Sequence, residues 1–176
     1  MSGLILTLES MDERLLRGLV LRRRGFADVL MRAITRLADP GVIIPLTLAL
    51  ASGLVPGARS TGMLAAFALT ISHLAVQILK HSVTRPRPQL PVGIASLVVP
   101  QDRFSFPSGH AAAGLSVALP LALGLSGVAG IAVLVVGLLV GVSRCYLGVH
   151  YPGDVLAGWV LAALGVAAGL ATGLLV

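Results

Sequence analysis

Between Ala111 and Ser143 the sequence contains no charged residue. As a helix rising about 1.5 Å per residue, that run exceeds one crossing of a hydrocarbon core about 30 Å thick. It therefore has to fold back, and Gly124, Ser126 and Gly127 mark the turn. Composition points the same way. Of the 176 residues 56% are hydrophobic and 11% are charged, where a soluble domain carries about a quarter charged residues. A bilayer is the solvent this chain is built for. The first apolar stretch leads into Glu9, Asp12, Glu13 and Arg14 with no small-residue cleavage site behind it, so no secretory signal peptide is expected.

Lipid exposure leaves helices and closed barrels as the only spanning structures, and apolar runs of this length select helices. Asp39-Pro40 reads as a helix start, with Asp39 as cap and Pro40 in the first turn. Gly41–Val55, Thr61–Leu79, the two halves of the uncharged run, and Val155–Val176 are then five spans. Residues 4–36 read as an amphipathic helix or helix pair, with Leu4, Leu8, Leu15, Leu16 and Leu19 set against Arg14, Arg17 and Arg22-Arg23-Arg24. Such a segment suits the headgroup interface. The expected fold is an all-α, multi-pass membrane bundle of five to six spans. An N-terminal interfacial region (1–38) precedes a transmembrane domain (39–176). Gly137 and Gly141, and Gly165, Gly169 and Gly173, recur every fourth residue, a spacing that lets helices approach closely and would also allow self-association.

Ionisable side chains are costly at membrane depth, so those retained near helix ends mark function. They fall in three blocks: Lys80 with Arg87-Pro88; Pro107-Ser108-Gly109-His110; and Ser143-Arg144 with His150 and Asp154. Following the crossings places all three on one rim. Lys80, Arg87 and Arg144 supply cations for phosphate oxygens, two of them as guanidiniums capable of bidentate contact. Ser108, Gly109 and His110 open a helix, where backbone N–H groups favour an anion. His150 and Asp154 stand one helical turn apart, so a carboxylate can hold the imidazole in one tautomer while the other nitrogen attacks phosphorus. His110 can protonate the leaving oxygen. Metal ligation by His110, His150 and Asp154 is the competing reading. It lacks an obvious fourth ligand, and the neighbouring cations oppose it.

These three blocks resemble the signature of the type 2 phosphatidic acid phosphatase family, which includes bacterial undecaprenyl-pyrophosphate phosphatases and shares its site with vanadium haloperoxidases. The resemblance covers roughly residues 61–165 and every motif position is matched. It implies a metal-independent phosphohistidine mechanism without a cofactor. By that similarity His150 is the nucleophile, Asp154 its orienting partner and His110 the general acid, while Lys80, Arg87, Ser108, Gly109 and Arg144 bind phosphate. A haloperoxidase would need a largely soluble domain, which the composition opposes.

The expected activity is hydrolysis of a lipid phosphate or pyrophosphate in the cell membrane. Undecaprenyl pyrophosphate is the leading substrate, because the short-looped chain resembles the small bacterial members. Phosphatidate and phosphatidylglycerol phosphate are the alternatives, and a non-catalytic anionic-lipid binder or transporter is the competing class. Nucleic acid is not expected as a partner: the net charge is +6, but aromatic residues make up only 4% of the chain and give no stacking platform. Arg85 and Arg103 read as interfacial charges reaching to headgroups. His73, Gln77 and Lys80 read as one helix face turned to the bundle interior. Cys145, the lone cysteine, rules out an internal disulfide. The resemblance implies a site on the periplasmic or extracellular side. The charge bias of the N-terminal arginines argues instead for the cytoplasm.

Overall fold

A computed structural model describes the backbone of residues 2–174 and the side chains of residues 11–174. The side chains of Leu4, Leu8 and Glu9, and the end of the last apolar run at Val176, lie outside the described residues. Within them the chain forms seven helices: α1 (Ser2–Val20), α2 (Gly25–Arg36), α3 (Pro40–Ser52), α4 (Arg59–Val83), α5 (Gly109–Gly124), α6 (Gly127–Tyr146) and α7 (Pro152–Ala171). Three of them, α4, α6 and α7, are long and apolar enough to cross a membrane. α2 and α3 reach that length only together, bent by 49° at their junction, and α5 is a shorter apolar helix of 16 residues. The five apolar segments read from the sequence are thus five helices. Among the described residues of the N-terminal region, α2 meets the length and composition of a span only when joined to α3.

α5 lies at the centre, packed against α4, α6 and α7, while α4 also meets α7 and α3. α1 and α2 lie across the site end, touching α6 and, for α1, α7. Leu16 and Val20 of α1 are buried with Ala111, Cys145, Tyr151 and Val155, whereas Leu15 is exposed. Outward-facing Ile78, Ile131, Val135, Val160 and Leu164 form an apolar exterior. Lipid tails solvate such a surface as well as another helix does, so association depends on close packing instead. The glycines supply it. A methyl group on Gly158 would come within 2.6 Å of the carbonyl of Ser108, the residue before α5, and one on Gly165 within 3.0 Å of the Ala68 carbonyl of α4. Gly137 faces Gly114 and Ala118 of α5, and Gly141 faces Trp159 of α7. Gly173 belongs to a different class: it ends α7 with φ +78° and open space around it.

Two backbone turns place the site. Thr84 caps α4 in the left-handed region at φ +49°, uncommon for a β-branched residue. It turns the chain back so that residues 85–108 lie over the end of the bundle. That segment is fastened by a bridge between Pro86 and Phe104, by Ser105 N–H to the Arg85 carbonyl (2.9 Å), and by Leu97 N–H to the Leu147 carbonyl (3.0 Å). Gly148, at φ +82°, turns the chain between α6 and α7, and a Cβ there would strike Arg23 and Leu90.

Candidate active site

All eight residues singled out in the sequence lie at one end of the bundle, on four helix ends and the segments between them. Six are buried; Arg87 and Gly109, the latter at the first position of α5, are half-buried. Six of them, Lys80, Arg87, Gly109, His110, Arg144 and His150, line one cavity of about 410 Å³. Its far wall is apolar, formed by Ile43, Ile44 and Leu48 of α3 with Leu69 and Leu74 of α4. His73 and Gln77 also line it. They are exposed and bonded to each other at 3.2 Å, so this face of α4 is cavity wall and not bundle interior.

His150 is 2% exposed, in the turn before α7. Its Nε2 lies 3.0 Å from Arg87 Nη1. A guanidinium can only donate, so Nε2 accepts and the ring proton sits on Nδ1. Nδ1 has no hydrogen-bond partner closer than Asp154 Oδ2 at 3.6 Å. Burial, the dominant cause, lowers the imidazole to about 4; Arg87 and Arg144 add to that and Asp154 opposes it. The ring is therefore neutral near pH 7, with an unprotonated nitrogen facing the cations.

Lys80 and Arg87 share one carboxylate, Asp102: Lys80 Nζ holds Oδ2, and Arg87 Nη2 donates to Oδ1 at 2.7 Å. Arg87 Nη1 also donates to the Val149 carbonyl at 2.7 Å. Burial alone would raise Asp102, but Lys80 and then Arg87 hold it below its ordinary value. Arg144 has no such partner. It is 4% exposed, donates from Nη1 to the Thr35 hydroxyl at 2.8 Å, leaves Nε without a partner, and pairs with no carboxylate among the described residues. A buried guanidinium without a counterion is costly unless an anion completes it.

His110 Nε2 lies 3.0 Å from Asp39 Oδ1. Asp39 does stand at the N-cap of α3, but its side chain makes no cap bond; it is turned to the histidine instead. His110 and Arg144 also line a second, more polar hollow of about 360 Å³ with Arg32, Arg36, Thr35 and Gln101. Ser108 caps α5, its hydroxyl accepting from Ala111 N–H at 3.4 Å, and its own N–H is held by the Asp154 carbonyl at 2.9 Å. It supports the loop and does not line the cavity. Gly109 does line it. A Cβ on Gly109 would meet only Val76, at 3.8 Å, so packing does not require glycine there.

Arg85 departs from the sequence reading. It is no headgroup arginine: Nη1 donates to Asp154 Oδ1 at 2.8 Å, and Nη2 pairs with Asp12 Oδ2 at 2.9 Å. Arg103 is exposed, with its guanidinium 6.0 Å from the Phe104 ring. Asp102 and Asp39 were not singled out for the site, because their partners are 15 to 71 residues away. Among the described residues no group of three or more His, Cys, Asp or Glu converges as a metal cage would.

A helical membrane bundle with a neutral histidine, a carboxylate behind it and three cations around one cavity defines a phosphoryl-transfer hydrolase working at a lipid surface. Known proteins place it further. Residues 61–173 match the family model of the PAP2 superfamily, and the chain belongs to that family; it is a PAP2-type membrane lipid phosphatase. It is 30% identical over 167 residues to phosphatidylglycerophosphatase B of Bacillus subtilis, covering 89% of this chain and 80% of that one. Decaprenylphosphoryl-5-phosphoribose phosphatase of Mycolicibacterium smegmatis is 41% identical over 103 residues, which is 58% of this chain and 55% of that protein's length. Among solved structures, the transmembrane PAP2-type phosphatidylglycerolphosphate phosphatase of Bacillus subtilis superposes with a TM-score of 0.77 at 27% identity, over 95% of this chain and 86% of the other.

Proposed function

We propose that this multi-pass phosphatase removes a terminal phosphate from a membrane lipid through a phosphohistidine on His150. The observation that carries the reading is Arg144, a buried cation without a carboxylate partner among the described residues, lining one cavity with Lys80, Arg87 and His150, whose unprotonated nitrogen meets Arg87. The lipid phosphate displaces Asp102 from Lys80 and Arg87 and takes Arg144 as its third cation, with the N–H groups at Gly109 completing the cradle. His150 Nε2 then attacks phosphorus as the bond to the leaving oxygen breaks. The bound phosphate and the Asp39 carboxylate favour the protonated form of His110, which gives its proton to that oxygen and afterwards regains one from the water that hydrolyses the N–P bond. Asp154, behind Nδ1, balances the positive charge the phosphorylated ring acquires.

The apolar wall between α3 and α4 receives the acyl or prenyl chain. The similarity to phosphatidylglycerophosphatase B, extending along most of both chains, supports phosphatidylglycerol phosphate as the first candidate. The match to a polyprenyl-phosphate enzyme keeps polyprenyl phosphates second, undecaprenyl pyrophosphate among them. The site faces the outer side of the membrane. A cysteine at the exposed Gln89, in a chain with Cys145 replaced, is expected to react with an impermeant thiol reagent in intact cells; protection would put the site in the cytoplasm.

The test is phosphate release by detergent-purified protein from phosphatidylglycerol phosphate, undecaprenyl pyrophosphate and phosphatidate, with EDTA present and His150→Ala in parallel. Release that survives EDTA and disappears in the variant is expected. Loss with EDTA would overturn the metal-free mechanism, and no release from any lipid by folded protein would favour a binding role.

A further inference from the structure

Phosphate-binding cations explain Lys80, Arg87 and Arg144, but not Arg85. Its guanidinium does not line the cavity. It is packed over the Tyr151 ring, 4.1 Å from the centroid, and clamped between two carboxylates from opposite ends of the sequence, Asp12 of α1 and Asp154 of α7. Asp12 does more than pair with it. Its Oδ1 accepts from Gly153 N–H at 2.8 Å, so one carboxylate caps the first turn of α7 and fixes Arg85 together. Asp154, with no exposed surface, divides its oxygens: Oδ1 to Arg85, Oδ2 to Tyr151 N–H at 2.8 Å and towards His150.

The resting site needs this group. His150 is neutral, so it cannot balance the buried Asp154, and an isolated buried carboxylate is costly. Arg85 is the counterion. Two carboxylates against one guanidinium leave one net negative charge behind Nδ1. That charge is what the ring requires once Nε2 carries phosphorus, because Nδ1 keeps its proton and the imidazole becomes a cation. Without Asp12, Arg85 would neutralise Asp154 fully and the phosphorylated ring would face a group of no net charge. Without Arg85, Asp154 would be buried alone.

Building on the phosphohistidine reading, we propose that Asp12 and Arg85 are positioning residues of the phosphatase, acting through Asp154 to orient and charge-balance His150, and that α1 is thereby part of the catalytic apparatus.

The experiment compares Arg85→Gln, Arg85→Lys, Asp12→Asn, the Arg85→Gln/Asp12→Asn double variant and His150→Ala in the full chain, with the lipid the wild type hydrolyses best. Neither residue touches phosphate. Arg85→Gln is therefore expected to lower kcat about tenfold to a hundredfold, by analogy with the range for partners that orient metal-ligating histidines. KM and the inhibition constant of orthovanadate should stay within about twofold. Asp12→Asn should lower kcat less, Arg85→Lys should recover part of the loss, and the double variant should lose no more than Arg85→Gln. Wild-type kcat in Arg85→Gln overturns the proposal, as do losses that multiply in the double variant or appear in KM and vanadate binding alone. If Arg85→Gln fails to fold, Asp12→Asn decides, because it leaves the Arg85–Asp154 pair in place; wild-type kcat there overturns the proposal. His150→Ala separates the two claims. Activity in that variant would remove the phosphohistidine reading itself, whereas an inactive His150→Ala beside fully active Arg85 and Asp12 variants would remove only this one.

Discussion

The two ends of the bundle differ in how they treat charge. At the far end the helices are joined by glycine turns at Gly53, Gly57 and Gly127, all at positive φ, and the cation there, Arg59, is exposed. A hollow of about 450 Å³ lies beside it, lined by Gly57, Arg59, Ser60, Met63, Gly173 and Leu174. At the site end a cavity no larger holds Lys80, Arg87, Arg144 and His150, with Asp154 fully buried behind them. Cavity size does not distinguish the ends. What does is that one end buries ionisable groups against their solvation cost and constructs a network of carboxylates, carbonyls and a hydroxyl to hold them. Charge that snorkels needs no such support.

Removing charge should therefore be severe at one end and silent at the other. Arg87→Ala takes away a cation that touches His150 and, on the proposed reading, the phosphate; kcat/KM should fall about a hundredfold or more, the cost of losing one preorganised donor. A loss below about tenfold would show that Lys80 and Arg144 suffice. Asp102→Asn should act in the opposite sense. On the proposed reading the carboxylate occupies the cations that phosphate would take, so removing its charge should lower KM and the vanadate inhibition constant severalfold; a rise would mean that Asp102 organises the cations and does not compete for them.

Smaller still is the expected effect of mild acid. A buried neutral His150 titrating at about 4 stays about nine-tenths neutral at pH 5, so its nucleophilic form is lost only as pH falls through about 4. The unfolded chain takes up this proton near the ordinary 6.5. Folding stability should accordingly decline as pH drops from there towards 4. A His150 ring resonance titrating near 6.5 would show the ring to be solvated. Finally, Arg59→Gln at the far end should leave kcat and KM within about twofold of wild type; a larger change would end the contrast.

Much of this was written in the sequence. The uncharged run required a turn at residues 124–127 and the chain turns there; the three blocks of polar residues named helix ends that do meet. Spacing within a block is local, so Lys80 to Arg87 or His150 to Asp154 can be read directly. The pairs that close the site cannot. Asp12 with Arg85, Asp39 with His110 and Arg144 with Thr35 lie some 70 to 110 residues apart, and nothing local distinguishes a carboxylate that caps a helix from one that holds a histidine. Asp39 illustrates this: the position was legible, the partner was not. The exposed face at His73 and Gln77 was hidden for another reason. A polar stripe on a membrane helix can face either the bundle interior or a cavity, and the stripe alone does not say which.

The most direct test of the account is to trap the intermediate. Protein mixed with lipid carrying a radiolabelled terminal phosphate, quenched into alkaline denaturant within one turnover and digested, is predicted to carry alkali-stable, acid-labile label on the peptide containing His150, and none in His150→Ala. Rapid phosphate release with no label on any peptide, or label on a residue other than His150, would contradict it.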